Sequence, residues 1–188
     1  MVGDIVKKSN ILMLSAVIGI IMWICMILLI SGRVSFFVNG FAVDADGQLY
    51  VGKGNKIIVF KDDVCIRKIE PPTSRTYKFT IADGQYITLT TSTEIYTMDL
   101  FGNIISKQPD EENKLYSELQ WKKTYTDQKG FHYTLKSVWG RQAIYREGVQ
   151  IYIMPTFDYV VLILFITVLI TVFITGIITV KRQVTQGK

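Results

Sequence analysis

The chain has 188 residues, 49% of them hydrophobic, with 21 Lys and Arg against 16 Asp and Glu and a net charge of +5. That length holds one modest domain plus apolar segments. The charge excess sits mainly in the two ends, which suits anionic lipid headgroups and does not point to a nucleic-acid partner.

Residues 1–10 form a short tail in which Lys7 and Lys8 face only Asp4. Ile11–Ile30 then carries no charged side chain. At about 1.5 Å per residue the run is long enough to cross a hydrocarbon core of about 30 Å, and a helix satisfies its own backbone there. It is longer than a signal-peptide core. Its exit, Leu29-Ile30-Ser31-Gly32-Arg33, has no small-x-small cleavage site. Residues 11–31 are therefore predicted to be an uncleaved transmembrane helix. Ser15 and Gly19 lie four apart in it and suit close helix packing.

Residues 32–157 read as a mainly β domain. They carry sixteen Lys and Arg against fourteen acids, and all four prolines. Lys56–Phe60, Tyr86–Leu89 and Ile95–Met98 are short, apolar and β-branched. Turn residues separate such runs: Asp46-Gly47, Asp83-Gly84, Phe101-Gly102-Asn103, Lys129-Gly130 and Glu147-Gly148. Aligning the turns yields a repeat of about three units, starting near Phe41, Tyr77 and Thr124. Each unit offers strand, turn, strand, loop, strand, turn, strand, which is the content of a four-stranded propeller blade. The blade turns are assigned to Asp46, Gly47, Asp83, Gly84 and Gly130. A short helix is predicted near Leu115–Trp121, between the second and third units.

Phe41-Ala42-Val43-Asp44-Ala45-Asp46-Gly47-Gln48-Leu49-Tyr50-Val51, followed by Lys56–Phe60, resembles an NHL-type or related propeller repeat. The second unit keeps only Asp83-Gly84 and its flanking strands. The third keeps Asp127 and Gly130, read with an extra residue between them. The resemblance implies a partial β-propeller. Three blades do not close a ring, since natural propellers have at least about four, so strand edges and apolar blade faces are expected to be left open. A homodimer would supply six blades; a membrane protein partner, or a compact sandwich instead of a propeller, would also account for them.

Little in the domain suggests catalysis. His132 is the single histidine, and a histidine metal site needs further ligands at compatible spacing. Gly47–Gly54 nearly spells a phosphate-binding loop but has Gly54 where Ser or Thr would hold magnesium. Asp44-Ala45-Asp46-Gly47 resembles the start of a calcium loop, yet Asn55 stands at the twelfth position. No catalytic, cofactor-binding or metal-binding residue is assigned, and no cofactor is expected. Exposed aromatics at a propeller mouth would suit a peptide or carbohydrate ligand. Cys25 and Cys65 fall in different segments, so no intrachain disulfide is expected. An exported domain without one fits a bacterial surface.

Tyr159–Val180 is the second uncharged run, and residues 158–180 are predicted to be a second transmembrane helix. Thr167, Thr171, Thr175 and Thr179 recur every fourth residue beside Gly176. Successive members fall about 40° apart, forming one slanted stripe suited to helix packing. The alternative is that each hydroxyl bonds its own backbone. Residues 181–188 add Lys181, Arg182 and Lys188. Basic flanks on both sides place both termini in the cytoplasm and the central domain outside. The functional expectation is a membrane-anchored binding, sensor or scaffold module embedded in a lipid bilayer and not an enzyme. The alternative is an accessory subunit that docks onto a larger membrane complex.

Overall fold

The computed structural model describes residues 2–73, 76–110 and 112–186, with the side chains of residues 2–12, 14 and 178–186 outside that description. Helix α1 (Val2–Ile30) leads into a strand-rich segment, and helix α3 (Thr156–Gln186) follows it. The chain divides into two compact units: Met1–Val34 with Thr156–Lys188, and Ser35–Pro155.

Among its described residues, the second unit holds three four-stranded antiparallel sheets, each a simple meander. The first contains β1 (Val38–Val43), β2 (Leu49–Lys53), β3 (Lys56–Lys61) and β4 (Val64–Ile69). The second contains β5 (Lys78–Ala82), β6 (Tyr86–Thr90), β7 (Glu94–Asp99) and β8 (Ile104–Pro109). After the short helix α2 (Lys114–Gln120) the third contains β9 (Thr124–Thr126), β10 (His132–Val138), β11 (Arg141–Arg146) and β12 (Val149–Ile153). These blade-like sheets fit a partial propeller-like fold.

Strand alternation puts successive side chains on opposite faces, and the first sheet buries both. On one face Ala42, Tyr50, Ile57 and Val59 join Phe79, Ile87 and Leu89 of the second sheet. On the other, Phe41, Val43, Leu49 and Val51 join Tyr133 and Ile144 of the third. The chain's first sheet is therefore the middle one. Each fully buried apolar side chain contributes about 1.5–3 kcal/mol. Close approach of the second sheet needs a missing side chain: a Cβ on Gly52 would lie 2.9 Å from the Phe79 ring.

The turns are specified by carboxylates. Asp44 accepts from Gln48 N at 2.8 Å and from the Tyr50 hydroxyl at 3.2 Å. Asp127 accepts from Lys129 N and Phe131 N, both at 2.9 Å, and from the Tyr133 hydroxyl at 3.0 Å. Asp99 holds Phe101 N and Asn103 N in the same way. Each aspartate is followed three positions later by a glycine with positive φ, at Gly47, Gly102 and Gly130, where an L side chain would be strained. Asp44–Gly47 and Asp127–Gly130 thus have identical spacing, and the third unit needs no extra residue. Asp83-Gly84-Gln85 is a different turn, closed by Gln85 N donating to Ala82 O at 3.0 Å and left-handed at its first two residues, with φ of 51° and 67°. Asp46 is exposed, and the turn depends on Asp44 in its place.

The outward faces of the second and third sheets are polar, contrary to the expectation of open apolar faces. Cross-strand register puts Thr80, Thr88, Thr97 and Ser106 in one row across the second sheet. On the third, Thr124, Thr134 and Tyr145 share a row. Exposed apolar residues include Val64 and Ile66 of the outer strand β4 and Ile104 and Ile105 of the outer strand β8.

In the first unit α1 and α3 touch each other, and Cys25, Val161 and Val168 are buried. Among the described residues one helix, Thr156–Ile177, is long and apolar enough to cross a membrane; the apolar part of α1 there is the shorter Ser15–Ile30. Of the two expected spans, 11–31 and 158–180, only the second meets a helix of spanning length and hydropathy among the described residues. Asp158 is 1% exposed. It lies in the first turn of α3, where the helix's free amides favour negative charge.

Replacing Asp127 with Ala leaves two turn amides and a buried hydroxyl without their acceptor. It is expected to destabilise the domain by about 2–3 kcal/mol, whereas Asp46→Ala stays within about 0.5 kcal/mol. Denaturant unfolding of the two variants, followed by tyrosine fluorescence, checks the contrast.

Candidate functional site

Two hairpin turns bound a cleft between the first and third sheets. The β3–β4 turn is Asp62-Asp63, with φ of 48° and 65°; aspartate tolerates this left-handed geometry better than most residues. Opposite it, β11 ends at Arg146 and turns through Glu147-Gly148 into β12. The cavity between them is about 360 Å³, near the lower end of the range for small-ligand sites. Val43, Leu49, Phe60 and Ile151 supply an apolar floor, with Asp62, Asp63, Arg146 and Gln150 as polar lining. Beside it the Phe60 and Tyr152 rings, 5.6 Å apart, join the two sheets.

Arg146 is held from below. Its guanidinium lies 5.4 Å from the Phe131 ring centroid, an attractive cation–π distance. It also interacts with the Tyr133 hydroxyl, which donates to Asp127. Burial, reinforced by Asp127, pushes the Tyr133 phenol up to about 12, with Arg146 pulling the other way. Burial likewise raises Tyr50 and Tyr125. These phenols stay neutral donors around neutral pH. The cleft thus offers carboxylates at one side, a fixed cation at the other and a greasy base between.

A second hollow of about 590 Å³ lies beside α2, with Gln108, Asp110, Lys114 and Glu118 in its lining. It is the more open of the two. The Asp110 carboxylate there is already engaged by Thr90 Oγ1 and Lys114 N, both at 3.2 Å.

The helix residues expected to pack have a different setting. A Cβ added at Gly19 or Gly176 would meet nothing within 4 Å, and Ser15, Thr167 and Thr175 are exposed. The threonine hydroxyls bond their own helix: Thr167 to Ile163 O at 2.8 Å, Thr171 to Thr167 O at 2.9 Å, Thr175 to Thr171 O at 2.8 Å. Thr179 has a side chain outside the described set. Of the blade-turn residues only Gly47 lines the cleft. Gly84 abuts Ala45 and Gln128, so the first hairpins of all three sheets converge. Asp46, Asp83 and Gly130 lie elsewhere on turns.

The segment resembling a phosphate loop is mostly strand β2, and an extended backbone does not wrap an anion. The carboxylate resembling a calcium ligand, Asp44, is occupied by its own turn. His132 is exposed on β10, with Nδ1 3.0 Å from Thr126 Oγ1. Among the described residues no three His, Cys, Asp or Glu side chains gather as metal ligands would. Asp62, Asp63 and Arg146 were missed as a site. The only sequence signal was that two consecutive acids make a poor hairpin turn compared with Asn-Gly.

The raised Tyr133 pKa has a stability consequence. Its neutral form is favoured by folding, so the contribution is complete below the unfolded value of about 10 and is lost as pH rises through about 12. Alkaline unfolding is expected in that window, and Tyr133→Phe should lessen its steepness. Phenolate absorbance measured alongside unfolding checks this.

No protein-family model matches the chain, and no curated protein does. Among solved structures, a protein of unknown function from Bacteroides caccae is similar over 62% of this chain, with 13% sequence identity and a TM-score of 0.31. The chain spans 44% of that protein's length.

Proposed function

We propose that the chain is a membrane-anchored binding module whose domain faces outward and takes a peptide-like ligand in the cleft between its first and third blades. The observation that carries the reading is the cleft's charge layout: Asp62 and Asp63 on one turn, Arg146 on the facing strand, apolar side chains between. That layout complements a ligand with a cation and an anion at separate ends and an apolar middle. Carbohydrate is the less suited ligand, because a neutral sugar leaves the charges of Asp62, Asp63 and Arg146 without counterparts.

Membrane anchorage is supported by the exposure of large apolar side chains on both long helices, including Val17, Ile20 and Trp23 on α1 and Ile163, Ile170 and Phe173 on α3. Helix α1 also covers the whole uncharged run Ile11–Ile30, so a two-span arrangement with both basic tails in the cytoplasm accounts for the sequence and the helices together. The NHL-like resemblance of the first unit supports a partial propeller, and a homodimer offers one way to complete it. The unoccupied Gly19 and Gly176 positions leave room for helix contacts between copies. The second reading, an accessory subunit docking onto a membrane protein, is favoured by the exposed apolar outer strands β4 and β8.

Two measurements test the proposal. With Cys25 changed to Ser, the exposed Cys65 is the only thiol, and a membrane-impermeant maleimide is expected to label it in intact cells. Labelling that requires permeabilisation reverses the topology. A short peptide carrying one lysine, one leucine and one glutamate, titrated calorimetrically into the detergent-solubilised chain, should bind about tenfold or more weakly to an Asp62→Asn/Asp63→Asn variant. Binding that is absent from the unsubstituted chain, or unchanged by the substitutions, removes the cleft from the function.

A further inference from the structure

The chain enters and leaves the β domain at one place, beside the tip of the β10–β11 hairpin. At its start, Val38 N donates to Gln142 Oε1 at 2.5 Å. At its end, Met154 N donates to Gln142 O at 2.8 Å, and Arg141 Nη2 donates to Met154 O at 2.5 Å. Strand β12 runs antiparallel to β11. It therefore travels toward the hairpin tip as it approaches Met154, two residues before α3 begins.

The tip itself is Trp139-Gly140, joining Val138 to its partner Arg141. Trp139 is 91% exposed and has a φ of 52°. A bulky L residue adopts that left-handed conformation at a cost, and a two-residue hairpin turn in water favours Asn, Asp or Gly there. Nearly all of the ring stands in solvent at a turn position that such a side chain disfavours. Phe37, next to the tethered Val38, is 69% exposed as well.

We infer that the Trp139 hairpin tip, with Phe37, is an anchor that seats in the headgroup layer of the bilayer. Tryptophan is favoured at that depth because its ring is apolar while its indole N–H still finds a polar partner. Within the domain the tip lies beside Val38 and Met154, the residues through which the chain enters and leaves it, and Met154 is two residues along the chain from α3. The inference rests on the proposal that the helices span the membrane. Its consequence is a second attachment, which fixes the domain's tilt and so the direction in which the ligand cleft opens.

The test uses the three tryptophans, Trp23, Trp121 and Trp139. The full chain is reconstituted into phosphatidylcholine–phosphatidylglycerol vesicles containing lipids spin-labelled either near the headgroup or deep in the acyl chain. One variant (Trp23→Phe, Trp121→Phe) leaves Trp139 as the only emitter, and another (Trp121→Phe, Trp139→Phe) leaves Trp23. Trp139 is expected to lose about half its emission to the shallow label and much less to the deep one, as an interfacial ring should. Emission from Trp139 untouched by both labels, or quenched more by the deep one, overturns the inference. Trp23 reports separately on the spanning helix: deep quenching there, with none at Trp139, leaves the span standing and removes the anchor. Absence of quenching at Trp23 overturns the span of α1.

Discussion

Burial of the first sheet on both faces is the constraint from which the rest of the domain follows. A sheet with alternating side chains normally buries one face and wets the other. Here Tyr50, Ile57 and Val59 are removed from water by the second sheet, and Phe41, Val43 and Val51 by the third. That arrangement places the chain's first sheet between its two successors. It also requires Gly52, because the Phe79 ring occupies the space a side chain would need. The outer sheets each have one face left for solvent, with a row of threonines and serine on the second and Thr124, Thr134 and Tyr145 on the third. With only three sheets, the apolar contact is concentrated in two layers that share one central partner.

The same sandwiching makes the cleft. The β3–β4 turn of the first sheet and the β11–β12 turn of the third are brought face to face, because Phe60 of β3 packs against Tyr152 of β12 beside them. Neither turn is a site by itself. Asp62 and Asp63 acquire a counterpart in Arg146 only through the packing of the third sheet on the first. Arg146 in turn is aligned by Phe131 and by Tyr133, whose hydroxyl is anchored on Asp127. The aspartate that closes a turn therefore also supports the side chain that gives the cleft its positive end. Local turn chemistry and the proposed recognition chemistry share one hydrogen-bonded chain of residues.

Much of the architecture was legible in the amino-acid order. The uncharged runs are helices, the β-branched runs are strands, and three units of four strands follow from the turn spacing, because turn and strand preferences are set by neighbouring residues. The equivalence of Asp44–Gly47 and Asp127–Gly130 was legible too. It was obscured by aligning on Asp-Gly pairs, when the physical signature is an aspartate three residues before a glycine that must have positive φ. In the helices, the threonine stripe has the period of a packing face. Yet the same period lets each hydroxyl reach the carbonyl four residues earlier, and spacing alone does not separate the two.

What the sequence by itself determined is the set of elements: which segments are apolar helices, which are strands, where turns fall, and where charge accumulates. Those properties arise from residues within a few positions of one another. The tertiary structure alone decided that the first sheet is the middle one, that the open faces are polar, and that Asp62, Asp63 and Arg146 border one cavity. Each of these depends on which apolar faces meet, a choice made among residues up to about one hundred positions apart by packing volume and buried area, and one that no local pattern encodes.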